Sequence, residues 1–239
     1  MASMATISES ASTGGIRTQS LCRHYAIGGV TVRAVHDVSL QIAPGEFAAL
    51  LGMSGSGKST LLGLLAGMDQ PTSGSVHVAG TDLSNLSRDE LAHYRLRTAG
   101  MIFQAFNLIG TMTLLENVEL PMRFAGIDRK QREELAKAAL DRVGLTDRMH
   151  HRPRELSGGQ QQRGAIARAI INKPRVLFAD EPTGNLDSRT GVEIMDLIRR
   201  LNENEGMTVL MVTHERQLAS RYAKRQLFMA DGRLVEGLE

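Results

Sequence analysis

The stretch Gly52-Met53-Ser54-Gly55-Ser56-Gly57-Lys58-Ser59-Thr60 limits the possible folds more than any other, because it fits the phosphate-binding pattern G-x-x-x-x-G-K-[ST] in the setting that the pattern requires. Glu46 to Leu51 reads as a short buried strand, and Leu61 to Ala66 as the apolar start of a buried helix. Glycines at 52, 55 and 57 let the backbone turn successive N–H groups inward, where they can hold phosphate oxygens at a helix N-terminus. Ser54, Ser56 and Thr60 belong to the same cradle. Lys58 is placed to reach the β- and γ-phosphates of a nucleotide, and the Ser59 hydroxyl suits Mg²⁺, which takes oxygen ligands and shares them with the phosphates. A flexible Gly/Ser turn is the plainer alternative, and the strand and helix on either side argue against it.

The 239 residues suffice for one large domain, or for a core domain carrying an inserted subdomain. Met1 to Gly15, rich in Ser, Thr and Ala, reads as a loose tail and not as a signal peptide. No window approaches about 18 consecutive apolar residues, the length of a membrane span. The richest runs, Phe47 to Met53 and Leu61 to Met68, read as core. With 28 basic and 26 acidic residues the net charge is +2, which supplies no broad field for nucleic acid, and no nucleic-acid partner is expected. The single cysteine, Cys22, excludes an internal disulfide, fits a reducing compartment and reads as a packed thiol.

Arg17 to His24 and Val30 to Ile42 read as two strands joined by a turn at Gly28-Gly29. Tyr25, just before the turn, is equally suited to stacking on an adenine ring and to packing at the edge of the core. Ser75 to Ala79 is a further short strand. Ser87 with Glu90 forms a capping box that opens a helix through about Arg97, and Gly100 to Gln104 is a strand with a polar end. Gln104 could place its amide near a metal and an attacking water, or it could be a solvated loop residue. Thr113 to Met122 reads as a helix halted near Pro121, and Asp128 to Val143 as an amphipathic helix with Leu135, Ala139, Leu140 and Val143 on its apolar side. His150 to Arg154 reads as a basic connector.

Leu156-Ser157-Gly158-Gly159-Gln160 follows, with Ser157 at the cap of a helix running to about Asn172. This is a second anion-binding cup, and one nucleotide hardly needs two. Arg175 to Ala179 reads as a buried strand that delivers Asp180 and Glu181 at its C-terminal end, where ligands gather in open α/β sheets. Asp180 suits the Mg²⁺ shell, and Glu181 can orient or deprotonate an attacking water. A helix follows from about Ser188 to Asn204, and then a β-rich run from Met207 to Val212 carries His214 just beyond its end. It is the third strand end to offer polar groups, which favours a γ-phosphate contact for His214. Arg221 to Ala230 and Gly232 to Val235 read as a closing hairpin.

Taken in order, Gly52–Thr60, Gln104, Leu156–Gln160, Val176–Glu181, Asn185–Asp187 and His214 resemble the motif set of the ATP-binding-cassette (ABC) ATPases over nearly the whole chain. Leu-Ser-Gly-Gly-Gln distinguishes that family from other P-loop proteins. The resemblance implies an α/β P-loop core with a parallel sheet, an antiparallel β subdomain and an inserted α-helical subdomain at about 82–172, all within one domain from residue 16 to 239. It implies ATP and Mg²⁺ as cofactors and a head-to-tail dimer around two ATP molecules, with Ser157, Gly158, Gly159 and Gln160 closing over the partner's nucleotide. Tyr25 would stack on adenine, Gln104 would sense the γ-phosphate, Ser59, Gln104 and Asp180 would serve the metal, and Glu181 and His214 would form the catalytic pair.

Phe103–Leu108, Glu116-Asn117-Val118 and Glu181–Asp187 are most similar to the branch of macrolide-exporter (MacB), lipoprotein-releasing (LolD) and cell-division (FtsE) ATPases. MacB carries its membrane part in the same chain, and this sequence stops at Glu239, so the expectation is separate transmembrane permease subunits. The expected function is ATP hydrolysis powering export or extraction from the cytoplasmic face of the membrane. The alternative is a cell-division-type ATPase that signals through a membrane partner. The partner's groove is expected between Ala105 and Met122, with Phe106, Leu108, Met112 and Leu114 as apolar surface. Gly164, where relatives often carry an apolar β-branched residue, departs from the pattern and puts the packing of that helix in question.

Overall fold

The computed structural model describes residues 15–237, so the tail expected over Met1 to Gly15 lies, apart from Gly15, outside the described residues. Two sheets carry the chain. Strands β1 (Ile16–Ile27), β2 (Val30–Ile42), β4 (Ser73–Val78) and β5 (Thr81–Asp82) form an antiparallel sheet in the order β2-β1-β4-β5. The second sheet has the order β10-β9-β3-β8-β7-β6, built from β3 (Phe47–Leu51), β6 (Ala99–Ile102), β7 (Val176–Asp180), β8 (Thr208–Thr213), β9 (Arg225–Ala230) and β10 (Arg233–Val235). Its central strands are parallel. β3 and β8 are buried at every position, β3 as an unbroken apolar run and β8 as an apolar run between Thr208 and Thr213, as suits strands covered on both faces.

Helix α1 (Lys58–Leu65) follows β3, and α6 (Ser188–Glu205) lies between β7 and β8. Between the sheets' contributions run α2 (Arg88–Arg97), α3 (Leu114–Phe124), α4 (Arg129–Arg142) and α5 (Gly158–Ile170). Capping boxes at Ser87/Glu90, Thr113/Glu116 and Ser157/Gln160 start three of them, and the Asp128 side chain caps α4. Within 82–172, β6 returns to the larger sheet and pairs with β7.

Four local expectations fail. α3 does not halt at Pro121 but runs through it to Phe124, and Gly126 ends the turn with a positive φ. Proline costs the helix one donor, yet Leu114, Val118 and Met122 are wholly buried on the face that α3 presents to the core, and that burial holds the turn together. Leu135 is 38% exposed, and Ala136, not Leu135, faces inward with Ala139 and Leu140. Met53 and Met68, read as core, are exposed at 78% and 48%. Residues 216–222 form a short helix, α7 (Arg216–Tyr222), where a strand was expected to begin at Arg221.

Gly164 has a packing reason. A Cβ there would stand closer than 3.0 Å to Leu114 Cδ1, so the missing side chain on α5 is the hole that Leu114 of α3 fills.

Candidate active site

Parallel pairing places three strand ends side by side. Leu51 at the end of β3 is opposite Thr213 at the end of β8, and Val212 is opposite Asp180 at the end of β7. The loop 52–57, the pair Asp180-Glu181 and the pair Thr213-His214 therefore emerge together at the C-terminal edge of the sheet.

The loop's shape rests on its glycines. Gly57 takes φ 101 at the start of α1, and a Cβ there would collide with the Ala34 carbonyl of β2. Gly55, φ 80, has open space where a Cβ would sit. The first N–H groups of α1, at Lys58, Ser59 and Thr60, have no carbonyl four residues back within the helix and face the loop's concavity. Lys58 is buried, and its Nζ donates to the carbonyls of Gly52 at 2.8 Å and Met53 at 2.7 Å and lies 3.5 Å from Ser56 Oγ. Burial lowers its pKa, against the opposing pull of Glu181 and Asp180.

Ser59 Oγ donates to Asp180 Oδ1 at 3.4 Å. Burial raises the Asp180 carboxyl above its ordinary range and Glu181 adds to the rise, while the bond from Ser59 and the charge of Lys58 oppose it. A hydroxyl and a half-buried carboxylate side by side make an oxygen donor set fit for Mg²⁺.

Glu181 stands in the left-handed region at φ 44, with its N–H bonded to the Val212 carbonyl at 2.9 Å. Non-glycine residues hold such a conformation only where the surroundings fix it, and the constraint aims the side chain. Glu181 Oε1 lies 3.1 Å from His214 Nδ1, so the two expected catalytic side chains form a pair.

Gln104 is exposed, and its backbone carbonyl accepts from Asn185 Nδ2 at 2.9 Å. Its amide lies against Gly184, where a Cβ would come within 2.7 Å of Nε2, so it abuts the loop that follows Glu181. Tyr25 donates its hydroxyl to Asp69 at 2.7 Å, and the Arg23 guanidinium sits 4.5 Å above one ring face while pairing with Asp69 at 2.8 Å. Only the opposite face could receive an adenine.

The second cup stands at the start of α5. Ser157 N–H donates to Gln160 Oε1 at 3.0 Å and Gln160 N–H to Ser157 Oγ at 3.3 Å, so the box uses two donors and leaves those of Gly158 and Gly159 at the positive end of the helix. Their missing side chains also serve packing. A Cβ on Gly159 would meet Thr190 Cγ2 at 2.5 Å, and one on Gly158 would meet Leu186 at 3.3 Å and Phe106 at 3.6 Å.

Two residues that sequence reasoning missed tie α5 to the segment after β6. Gln162, wholly buried, donates from Nε2 to Phe103 O at 3.5 Å and, in the loop after β7, to Pro182 O at 2.5 Å. Arg168 donates to the carbonyls of Asn107 at 2.5 Å and Phe106 at 3.0 Å, both of which hold left-handed φ angles of 53 and 60. Burial lowers the pKa of that guanidinium. Two consecutive non-glycine residues at positive φ need such a clamp. The only signal in the sequence was an arginine on the inner side of a helix.

Beside this segment, Met68, Leu96, Met101, Phe103, Asn107, Pro121 and Arg168 help line a cavity of about 320 Å³. A second, of about 460 Å³, adjoins it through Arg95, Leu96 and Pro121 and reaches Leu120 and Phe124, which is 74% exposed. Of the expected segment, Asn107, Leu120 and Pro121 line these cavities. Leu114 is buried in the core, Leu108 packs against it and Phe106 rests on Gly158, so the apolar surface comes from α2 and the end of α3.

The family model described as ABC transporter matches residues 35–184. An uncharacterized ABC transporter ATP-binding protein of Methanocaldococcus jannaschii is 48% identical over 221 residues, covering 92% of this chain and 98% of the relative. The macrolide export ATP-binding/permease protein MacB of Brucella melitensis is 46% identical over 220 residues, and the chain spans 34% of its length. An ATP-binding cassette solved as a dimer in a post-hydrolysis state, bound to ADP and Pi, superimposes with a TM-score of 0.86 at 41% identity, covering 94% of this chain and 97% of that one. With this agreement in sequence and in fold, the chain belongs to the ABC transporter family and is an ATP-binding ATPase cassette of the α/β P-loop type.

Proposed function

We propose that two copies of this chain close head to tail around two ATP molecules and power export or extraction through separate transmembrane permease subunits, from the cytoplasmic face of the membrane. The observation that carries this reading is the pair of phosphate-facing helix starts in one chain. The loop before α1 has its metal and water-activating side chains beside it, while the cup before α5 has N–H donors to offer and no such carboxylates among its own residues. The dimeric cassettes among similar structures support the pairing, and the fused permease of the MacB relatives supports a membrane partner.

Within one site, Lys58 exchanges its loop carbonyls for the β- and γ-phosphates, and the N–H groups of 54–60 hold the phosphate oxygens. Tyr25 stacks on adenine with the ring face that Arg23 leaves open. Ser59, Asp180 and Gln104 hold Mg²⁺, which when bound neutralises phosphate charge and orients the chain's ligands. Glu181, steered by its backbone and by His214, takes a proton from the attacking water, and His214 faces the γ-phosphate. Ser157, Gly158, Gly159 and Gln160 complete the partner's site. The apolar groove of Met68, Leu96, Leu120, Pro121 and Phe124 receives the permease.

Glu181→Gln should keep ATP, slow hydrolysis about 10²–10⁴-fold and run as a dimer in MgATP by light scattering. Adding Ser157→Arg should abolish that dimer while ATP still binds. A Glu181→Gln protein that stays monomeric in MgATP, or a double variant that still dimerises, refutes the paired sites.

A further inference from the structure

Where β1 and β2 pair, three side chains with no part in ATP chemistry converge. Cys22 and His24 lie two residues apart on β1. Across from them, Val38 pairs with Leu21 and Val35 with Arg23, so β2 spans that interval with one residue more than β1 does. That bulge, with Asp37 at φ 55, re-aims His36 toward Cys22. The thiol and one ring nitrogen from each histidine lie within 4.8 Å of one another. Cys22 Sγ is 3.8 Å from His36 Nδ1, close to the edge of a tetrahedron with metal bonds of about 2.0–2.3 Å.

A second observation points to a ligand. His24 Nε2 is enclosed, away from solvent, and has no hydrogen-bond partner. A buried ring nitrogen left so forfeits its interaction with water, and a metal ion would restore it. The sulfur is oriented as well, since the Asp37 N–H donates to it at 3.3 Å.

We propose that Cys22, His24 and His36 bind one Zn²⁺ ion, with solvent at the fourth position. One thiolate and two imidazoles make a borderline-soft set of a kind that Zn²⁺ accepts, whereas Mg²⁺ and Ca²⁺ need oxygen ligands. Binding forms one Zn–S and two Zn–N bonds and releases the thiol proton to solvent. The ion cross-links β1 to β2 behind the nucleotide loop. Ala34, two residues before His36, is the carbonyl that closes on Gly57, while the His36 N–H donates to Gly232 O at 2.7 Å and the Gly232 N–H to Ser56 O at 3.0 Å.

The test uses the full chain without an affinity tag, stripped of metal and free of nucleotide, and titrated with Co²⁺ as the spectroscopic probe. Cys22 is the only cysteine, so any sulfur-to-cobalt charge-transfer band reports it, and the oxygen ligands near Asp180 cannot produce one. One equivalent of Co²⁺ should develop that band with tetrahedral visible bands, and Zn²⁺ should displace it. His24→Gln and His36→Gln should each weaken binding at least about tenfold with the far-ultraviolet dichroism unchanged. X-ray absorption at the zinc edge of the wild-type chain needs no variant to fold. It should show one sulfur near about 2.3 Å and nitrogens near about 2.0 Å. No sulfur band in excess Co²⁺, a histidine variant that leaves the titration unmoved, or a zinc shell of oxygen alone overturns the site.

Discussion

Gly164 offers the sharpest quantitative test of how α5 is held. On an exposed helix Gly→Ala gains about 1 kcal/mol of helix stability. Here the new methyl would lie closer than 3.0 Å to Leu114 Cδ1 and 3.5 Å from its Cγ, and Leu114 is wholly buried in the core that includes Val118, Met122 and Ile166. Overpacking one methyl into such a site costs about 1–3 kcal/mol, so Gly164→Ala should lose about 1 kcal/mol net. Leu114→Ala alone opens a cavity and should cost about 2–5 kcal/mol. Together the two changes should cost less than their sum, since the new methyl occupies the space that the leucine leaves, with a coupling of about 0.5–3 kcal/mol. Urea unfolding of the nucleotide-free chain reads all four corners of the cycle, provided the slope stays constant. A Gly164→Ala chain that gains the full helix-propensity value, or a double variant whose loss is strictly additive, refutes the knob-in-hole account.

Lys58→Ala should nearly abolish hydrolysis at saturating MgATP while the chain stays folded, measured by phosphate release and circular dichroism. Because burial raises the Asp180 carboxyl, the native chain retains a proton that the unfolded chain has released, and its stability falls as pH climbs from the ordinary carboxylate value of about 3.9 through the raised native one. Asp180→Asn should therefore raise the thermal midpoint of the nucleotide-free chain near neutral pH and lose that advantage in acid. Arg168→Met should leave the carbonyls of Phe106 and Asn107 unpaired, cost about 2–4 kcal/mol and speed amide exchange over 103–109. Phe124→Asp should leave basal hydrolysis intact and, on the proposed docking of a permease at this groove, break the coupling between the two. It is a cleaner probe than a charge at Phe106, which rests on Gly158.

What the sequence disclosed was mostly local. The loop 52–60, the boxes at Ser87/Glu90 and Ser157/Gln160 and the polar residues after β7 and β8 each write their structure within a few positions. What stayed hidden depends on partners far along the chain. Pro121 looked like a stop because the packing that carries α3 past it comes largely from α4 and α5. Gly159 and Gly164 carry no sign of Thr190 or Leu114 in their own neighbourhood. Cys22 read as a packed thiol because His36 reaches it only through a bulge, and strand periodicity assigns a residue to a face on the assumption that no bulge intervenes.

The self-bonded ammonium of Lys58 bears on how affinity should be understood. Its charge is shared by two carbonyls of its own turn, at 2.8 and 2.7 Å. On the proposed role of Lys58, nucleotide entry would be a swap of acceptors, in which two neutral oxygens are traded for phosphate oxygens of full charge, and only the difference between the two sets would appear as binding. A shorter cation at this position should fail twice, since it would neither brace the turn through both carbonyls nor span the distance to the proposed γ-phosphate.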